Sequence, residues 1–205
     1  VGAKRNQEVW HLDFKSHEGS FSTTALTVVN AAGPFAKNVA ELFGSPTKAR
    51  LVFSKGVHFT INRKLTQGDR VLAFWDEQNR LFYVLPMGDR SMIGTTDTRV
   101  DAPQTEANDE DIEFVLRQIN AQLELAEPIT KEEIVSARSG VRPLVIDGSQ
   151  GDNQDWHQLS RKHVIETNAD AAVVSILGGK LTDCLNVGKE VLTELNRLGL
   201  GGKLP

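Results

Sequence analysis

Two compact apolar runs, each followed at once by a glycine turn and a helical pattern, constrain the fold of this chain most strongly. The first run covers residues 25–29 and turns at Asn30-Ala31-Ala32-Gly33-Pro34. The second covers residues 172–177 and turns at Gly178-Gly179. Short apolar runs bounded by turn residues are typical of buried strands. The chain therefore has a strand–turn–helix unit near each end, which predicts an α/β domain that the chain leaves and later rejoins.

The long segment between the two runs has the pattern of a mostly antiparallel sheet. Apolar and alternating stretches predict strands within residues 51–61, 71–75, 81–85, 91–95 and 134–145. Asn108 is predicted to cap a helix whose apolar residues follow the 3.6-residue period. We therefore predict an α+β fold, with a mostly antiparallel domain over residues 49–170 and the split α/β domain over residues 1–48 and 171–205.

Composition narrows the functional classes. The 205 residues are 40% hydrophobic, enough for a sizeable core, and the net charge of −4 without a basic run gives no support for a nucleic-acid partner. The apolar runs are too short to span a bilayer. Cys184 is the single cysteine, which excludes an internal disulfide and predicts a reducing, cytoplasmic location. Because the chain starts at Val1 rather than Met, we interpret it as an internal fragment, with proteolytic maturation as the alternative.

The turn Gly178-Gly179-Lys180-Leu181-Thr182 is the first candidate binding site. Glycines let a backbone approach a ligand closely, and free amides at a helix start favour negative charge. Lys180 adds a cation beside these amides. An ordinary helix start is equally compatible with this pattern. A nucleotide P-loop is excluded, because the upstream glycine and the Lys-Ser/Thr pair are missing.

Arg142 is the second candidate. It lies between Gly140 and Pro143, and proline within a strand indicates an edge or a bulge where side chains are often re-aimed. The planar guanidinium suits recognition of phosphate or carboxylate. A surface ion pair is the structural alternative.

His58 is the third candidate. It alternates with Val57 and Phe59, so we expect it on the polar face of its strand, where Gly56 leaves room for a ligand. Histidine is the usual general base near neutral pH, although a structural histidine is also compatible. The other histidines have no partner spacing, so no metal site is predicted from His11, His17, His157 and His163.

Two further polar segments have simple structural explanations. Gly94-Thr95-Thr96-Asp97 is interpreted as a turn whose polar side chains satisfy their own backbone, with ligand contact as the lesser alternative. Arg99 and Ser160-Arg161 are interpreted as solvated.

Taken together and in order, five motifs resemble the FAD-dependent glycerol-3-phosphate dehydrogenases. The resemblance extends over residues 25–195, and Ser160-Arg161 fits it too. The motifs are Asn30-Ala31-Ala32-Gly33-Pro34, Lys55-Gly56-Val57-His58, Ile93-Gly94-Thr95-Thr96-Asp97, Ser139-Gly140-Val141-Arg142-Pro143-Leu144 and Gly178-Gly179-Lys180-Leu181-Thr182.

The resemblance implies a flavoprotein in which a substrate domain is inserted into an FAD-binding domain. It implies oxidation of sn-glycerol 3-phosphate to dihydroxyacetone phosphate by hydride transfer to FAD. His58 and Arg142 become the catalytic candidates, and both join Lys180 in binding substrate. The cofactor-binding candidates are Asn30, Ala31, Gly33, Gly178, Gly179, Lys180, Leu181 and Thr182. The resemblance also implies quinone or oxygen as the electron acceptor, and a location at the cytoplasmic face of a membrane if the protein is a dehydrogenase of this family.

The chain also departs from the family pattern. The Gly-x-Gly-x-x-Gly dinucleotide fingerprint is absent, and Asp183-Cys184-Leu185 stand where the family commonly has Thr-Tyr-Arg. We therefore expect this chain alone neither to hold FAD tightly nor to turn over. Two alternatives stay open: a related amino-acid or amine oxidase that selects a carboxylate, and a non-catalytic module with the same fold.

Overall fold

The computed structural model describes residues 2–103, 105–146 and 162–200. The chain divides into two compact units: Val1–Phe53 with Pro143–Pro205, and Ser54–Arg142. The predicted α+β class is confirmed, because antiparallel pairs dominate the sheets and the α-helices are few. The predicted division into a split domain and an inserted domain, with boundaries after residues 48 and 170, stays a prediction. No helix in the described ranges is long and apolar enough to cross a membrane.

An antiparallel three-stranded sheet opens the first unit. Its strands, in sheet order, are β1 (Gly2–Asn6), β2 (Val9–Ser16) and β3 (Gly19–Ala25). Trp10 and Leu12 alternate with exposed residues along β2 and are buried. The Trp10 ring packs edge-on against Phe43 with centroids 5.0 Å apart, and its Nε1 donates to the Ala171 carbonyl at 2.8 Å. Trp10 thus ties this sheet to the rest of its unit.

The strands of both strand–turn–helix units lie in the second sheet of the first unit. Its strands are β4 (Val28–Asn30), β11 (His163–Asn168) and β12 (Val173–Gly178). Strand β12 lies between an antiparallel β11 and a parallel β4. A 3₁₀ turn at Gly33–Phe35 leads into helix α1 (Ala36–Leu42), and another at Leu181–Asp183 leads into helix α3 (Cys184–Arg197).

The prediction of one buried strand over residues 25–29 is wrong. Strand β3 ends at Ala25 and pairs with β2, whereas β4 begins at Val28 and pairs with β12. Between them Leu26 is 56% exposed, and Thr27 Oγ1 donates to the Ala172 carbonyl at 2.7 Å. One apolar run therefore serves two sheets, which periodicity alone does not indicate.

The second unit is built on one large, mostly antiparallel sheet with a helix. Two of its strands, β5 and β10, extend beyond the unit boundary. The strands are β5 (Arg50–Ile61), β6 (Leu72–Trp75), β7 (Leu81–Met87), β8 (Arg90–Gly94), β9 (Thr98–Val100) and β10 (Ile134–Ile146). The order is β10-β5-β8-β7-β6, and β9 also pairs with β5. Helix α2 runs over Asp109–Gln122.

Helix α2 seals one face of this sheet. The resulting core consists of Val57, Phe59, Ile61, Phe82, Val84, Ile93, Val115, Ile119 and Ile129. The prediction that Asn108 caps the helix is confirmed, because Asn108 Oδ1 accepts from the Asp111 amide at 3.0 Å. Asp111 also forms a buried ion pair with Lys55 at 2.6 Å. The capped helix and this ion pair hold β5 from its apolar side and leave the other face for polar residues.

Candidate functional site

His58 lies on the face of the second-unit sheet that is opposite the core, as its alternation predicts. Its cross-strand partner on β8 is Gly94, whose φ is 144°. A Cβ at residue 94 would come within 2.8 Å of the Val57 carbonyl oxygen and 3.0 Å of His58 Cδ2. Glycine is therefore required at this position, and it leaves space beside the imidazole.

Arg142 lies on the same face as His58. A methyl group on Gly56 would overlap the Arg142 guanidinium, so this glycine makes room for the arginine. Arg142 Nη2 donates to Thr95 Oγ1 at 3.1 Å, and Nη1 lies 3.8 Å from Asp97 Oδ1. Strand β10 is the last in its sheet among the described strands, as expected of an edge strand. The structure thus brings together the two predicted catalytic residues.

Asp97 belongs to this site, which sequence reasoning missed. Its carboxylate accepts the Ser54 hydroxyl, and its backbone oxygen accepts from Arg80 Nη1 at 2.8 Å. Thr96 Oγ1 accepts from the Val57 amide at 3.0 Å. The interpretation of residues 94–97 as a self-contained turn is therefore incomplete, because these side chains contact residues of both β5 and β10. The sequence feature that could have indicated Asp97 as a site residue is its position directly after two threonines.

The electrostatics of the site favour a neutral imidazole. Partial burial lowers the pKa of His58 below the ordinary 6.5, and the positive charges of Arg142 and Arg138 lower it further. Each effect disfavours imidazolium. At neutral pH His58 can therefore accept a proton, which is the state that a general base requires. Arg138 was not predicted, although its spacing of four residues from Arg142 places both on one face of a strand.

The glycine turn after β12 forms the second group of candidates, within the first unit. Gly178 and Gly179 have φ values of 68° and 91°. A Cβ on Gly178 would lie 2.7 Å from Val145 Cγ2, and one on Gly179 would lie 3.0 Å from His163 Cβ. Both positions therefore require glycine. Lys180 precedes the 3₁₀ turn, and no side chain of the described residues caps that turn.

An open groove runs along this turn. Its volume is about 510 Å³, and it is lined by Ala31, the segment 178–181 and apolar residues of α3 such as Val187 and Val191. Leu181 is 90% exposed beside it. A glycine floor, apolar walls and uncapped amides suit a flat ring system with a polar edge, such as a flavin. These residues fit one wall of an FAD site.

The remaining candidates have more local roles in the structure. Asn30 is buried, and its Nδ2 donates to the Ala36 carbonyl at 2.7 Å and to Ser175 Oγ at 3.2 Å. Its effect on a ligand would therefore act through the turn at Gly33, whose φ is 57°. Thr182 is exposed in the 3₁₀ turn. Ser160-Arg161 lies outside the described residues.

Comparison with known proteins decides the family. Residues 1–180 match the model of a family described as FAD dependent oxidoreductase. The chain belongs to this family. The resemblance predicted from the ordered motifs is thereby confirmed.

Three relatives show how much of such a protein this chain represents. Glycerol-3-phosphate dehydrogenase 2 of Mycobacterium tuberculosis is 34% identical over 157 residues, 76% of this chain and 26% of that protein. Glycerol-3-phosphate dehydrogenase of Pseudomonas aeruginosa is 29% identical over 205 residues, 95% of this chain and 38% of that protein. The structure of glycerol-3-phosphate dehydrogenase from Bacillus halodurans, complexed with FAD, aligns with a TM-score of 0.78 at 25% identity, over 100% of this chain and 39% of that one. The chain thus spans well under half the length of these members of the family.

Proposed function

We propose that the protein carrying this chain oxidises sn-glycerol 3-phosphate to dihydroxyacetone phosphate with FAD. The observation that carries the proposal is that His58, whose pKa is lowered, and the Arg142 guanidinium lie on the same glycine-lined face of one sheet. The names of the relatives and the FAD complex of the Bacillus halodurans enzyme support it. In this proposal the second unit supplies the substrate face, and the first unit supplies one wall of the flavin site.

Arg142 binds the anionic substrate. Contacts with Thr95 and Asp97 fix the orientation of its guanidinium before a ligand arrives. A preoriented guanidinium loses little conformational freedom on binding, and its fork matches phosphate oxygens. Lys180 is proposed as a further substrate contact.

His58 acts as the general base. The C2 hydroxyl of the substrate gives its proton to the neutral imidazole, while hydrogen leaves C2 as hydride. Burial keeps His58 uncharged until this transfer, and the resulting imidazolium later releases its proton to solvent. FAD, when bound, supplies the hydride acceptor.

Ala31, Gly33 and the segment 178–182 are proposed to hold the flavin, with Asn30 fixing the first turn. Gly178 and Gly179 support this assignment, because without side chains they let a ligand in the groove approach the backbone closely. Because the groove is open on one side, we expect the isolated chain to be colourless and inactive.

We further propose a cytoplasmic location, at the inner face of a membrane if the electron acceptor is quinone. Oxygen consumption without added acceptor would identify an oxidase. Dependence on a soluble quinone analogue would identify a dehydrogenase.

The test uses the flavin-loaded protein that contains this chain, mixed without oxygen with sn-glycerol 3-phosphate, glycerol or a panel of amino acids. We expect rapid loss of flavin absorbance with sn-glycerol 3-phosphate alone. Bleaching by amino acids alone would replace the proposal with an amino-acid oxidase. A protein that never takes up flavin would indicate a non-catalytic module.

A further inference from the structure

Arg138 shares a face of β10 with the catalytic candidate Arg142. Strand alternation places residues 138, 140 and 142 on the same side. Gly140 stands between the two arginines, and a Cβ built on it meets no described atom within 4 Å. Arg138 and Arg142 therefore stand on either side of an open gap above Gly140 on this face of the strand.

Arg138 brings a positive charge to this gap. Arg138 is exposed and has neither an ion pair nor a hydrogen bond within the ranges that the structure describes. The Asp97 carboxylate lies 3.8 Å from Arg142 and 3.8 Å from Arg80, so two guanidiniums share it. An anion entering the gap would therefore meet the Arg138 guanidinium without a competing carboxylate from the part of the chain that the structure describes.

The gap also lies within electrostatic reach of the proposed base. Arg138 and Arg142 both lower the pKa of His58, in addition to the larger effect of burial. The strand facing His58 on its other side contributes Gly94, and the next strand contributes Tyr83 opposite that glycine. No carboxylate occupies these register positions. An anionic group bound beside Arg138 would therefore lie near the proton acceptor.

We propose that Arg138, Gly140 and Arg142 form a two-arginine subsite for the substrate phosphate, and that Arg138 determines specificity for phosphate over carboxylate. The inference rests on the proposed function. A carboxylate has one charge and two oxygens, which one guanidinium fork satisfies. A phosphate monoester carries about −1.5 to −2 charges and three terminal oxygens, so a second fork gains contacts that a carboxylate cannot provide.

The test compares Arg138→Gln, Arg138→Lys and a matched control in the flavin-loaded protein. Arg90 is the control because it is an exposed arginine of the same unit, on β8 at the turn from β7. The measurements are kcat and KM for sn-glycerol 3-phosphate, and the inhibition constant of inorganic phosphate. We expect Arg138→Gln to raise KM and the inhibition constant about tenfold, with a smaller effect on kcat, and Arg138→Lys to restore part of the loss. Arg90→Gln should leave all three near the wild-type values.

A pH profile gives an independent readout. Removing the charge at Arg138 raises the pKa of His58, so the acid limb of kcat/KM should move to higher pH in Arg138→Gln. Wild-type turnover of sn-glycerol 3-phosphate combined with unchanged constants in Arg138→Gln would overturn the subsite and leave the proposed function intact. Equal losses in Arg90→Gln would also overturn it, because the effect would then be one of net charge. A wild-type protein that oxidises only amino acids would overturn the proposed function and the phosphate assignment together.

Discussion

The apolar residues next to the two candidate sites differ in how completely they are buried. The core of the second unit contains residues such as Val57, Ile93 and Ile119 with no exposed surface. In the first unit, helix α3 has no buried residue among those described, and Leu181 and Leu185 are 90% and 77% exposed. One unit therefore has a sealed apolar face behind its polar site, whereas the other presents apolar surface at its site.

This difference separates two ways of making a binding site. The second unit holds His58 and Arg142 on a sheet whose reverse side is close-packed, which limits movement of polar groups that must be positioned accurately. The first unit offers a glycine floor and exposed apolar side chains, which suit contact with a large planar ligand. Substitutions in the core behind the polar site should therefore affect stability more than substitutions on the exposed apolar face of α3.

The largest expected effect is on catalysis at the polar face. His58→Gln should lower the anaerobic rate of flavin reduction by about 10²–10⁴-fold, because it removes the proton acceptor. His11→Gln, an exposed histidine of the first unit, is the control and should have no effect. A wild-type rate in His58→Gln would show that another group takes the proton.

Breaking the buried ion pair between Lys55 and Asp111 tests the apolar face of the second-unit sheet. Lys55→Met should destabilise the protein by about 3–5 kcal/mol, because it leaves Asp111 buried without its cation. Arg197→Met in the first unit, which breaks a more exposed pair with Glu194, should cost no more than about 1 kcal/mol. Urea denaturation monitored by fluorescence measures both, and equal losses would remove the contrast between the units.

Matched truncations of apolar side chains test the same contrast. Ile93→Ala should cost about 2–5 kcal/mol, because it opens a cavity in a fully buried core. Leu185→Ala should change the free energy of unfolding by no more than about 0.5 kcal/mol. A large loss in Leu185→Ala would mean that α3 is packed in the folded protein.

Helix starts provide a smaller contrast. Asn108→Ala should cost about 1 kcal/mol, because it removes the side-chain cap of α2. Lys180→Ala should cost no more than about 0.5 kcal/mol, because Lys180 caps nothing with its side chain. Thermal unfolding measures both, and a loss in Lys180→Ala as large as that in Asn108→Ala would contradict this account.

The smallest expected effect is the position of the acid limb. Because burial and two arginines lower the pKa of His58, the midpoint of the acid limb of kcat/KM should lie below pH 6.5. A midpoint at or above pH 6.5 would indicate a base with an ordinary or raised pKa.

The sequence was sufficient for residues whose role depends on local periodicity. Alternation along one strand correctly placed His58 away from Val57 and Phe59, and Pro143 correctly indicated an edge strand beside Arg142. It was not sufficient where pairing between distant strands decides the contact. Asp97 meets Ser54 because of how β5 lies in the sheet, and nothing near Asp97 in sequence indicates that partner.

Short polar strands show the same limit. Strand β1 (Gly2–Asn6) has little apolar content, and it forms because Ala3 pairs opposite Leu12 in an antiparallel register with β2. The run at residues 25–29 misled the prediction because two sheets divide it. In both cases tertiary pairing, rather than local propensity, decides the secondary structure.

The most direct test of the central claim is the affinity of Gly56→Ala for sn-glycerol 3-phosphate, measured by anaerobic flavin reduction. The added methyl group must displace the Arg142 guanidinium while the sealed core behind the strand stays intact. This account predicts retained flavin, an unchanged unfolding temperature and a dissociation constant raised at least about tenfold. Wild-type affinity and rate in Gly56→Ala would contradict the assignment of this glycine-lined face as the substrate site.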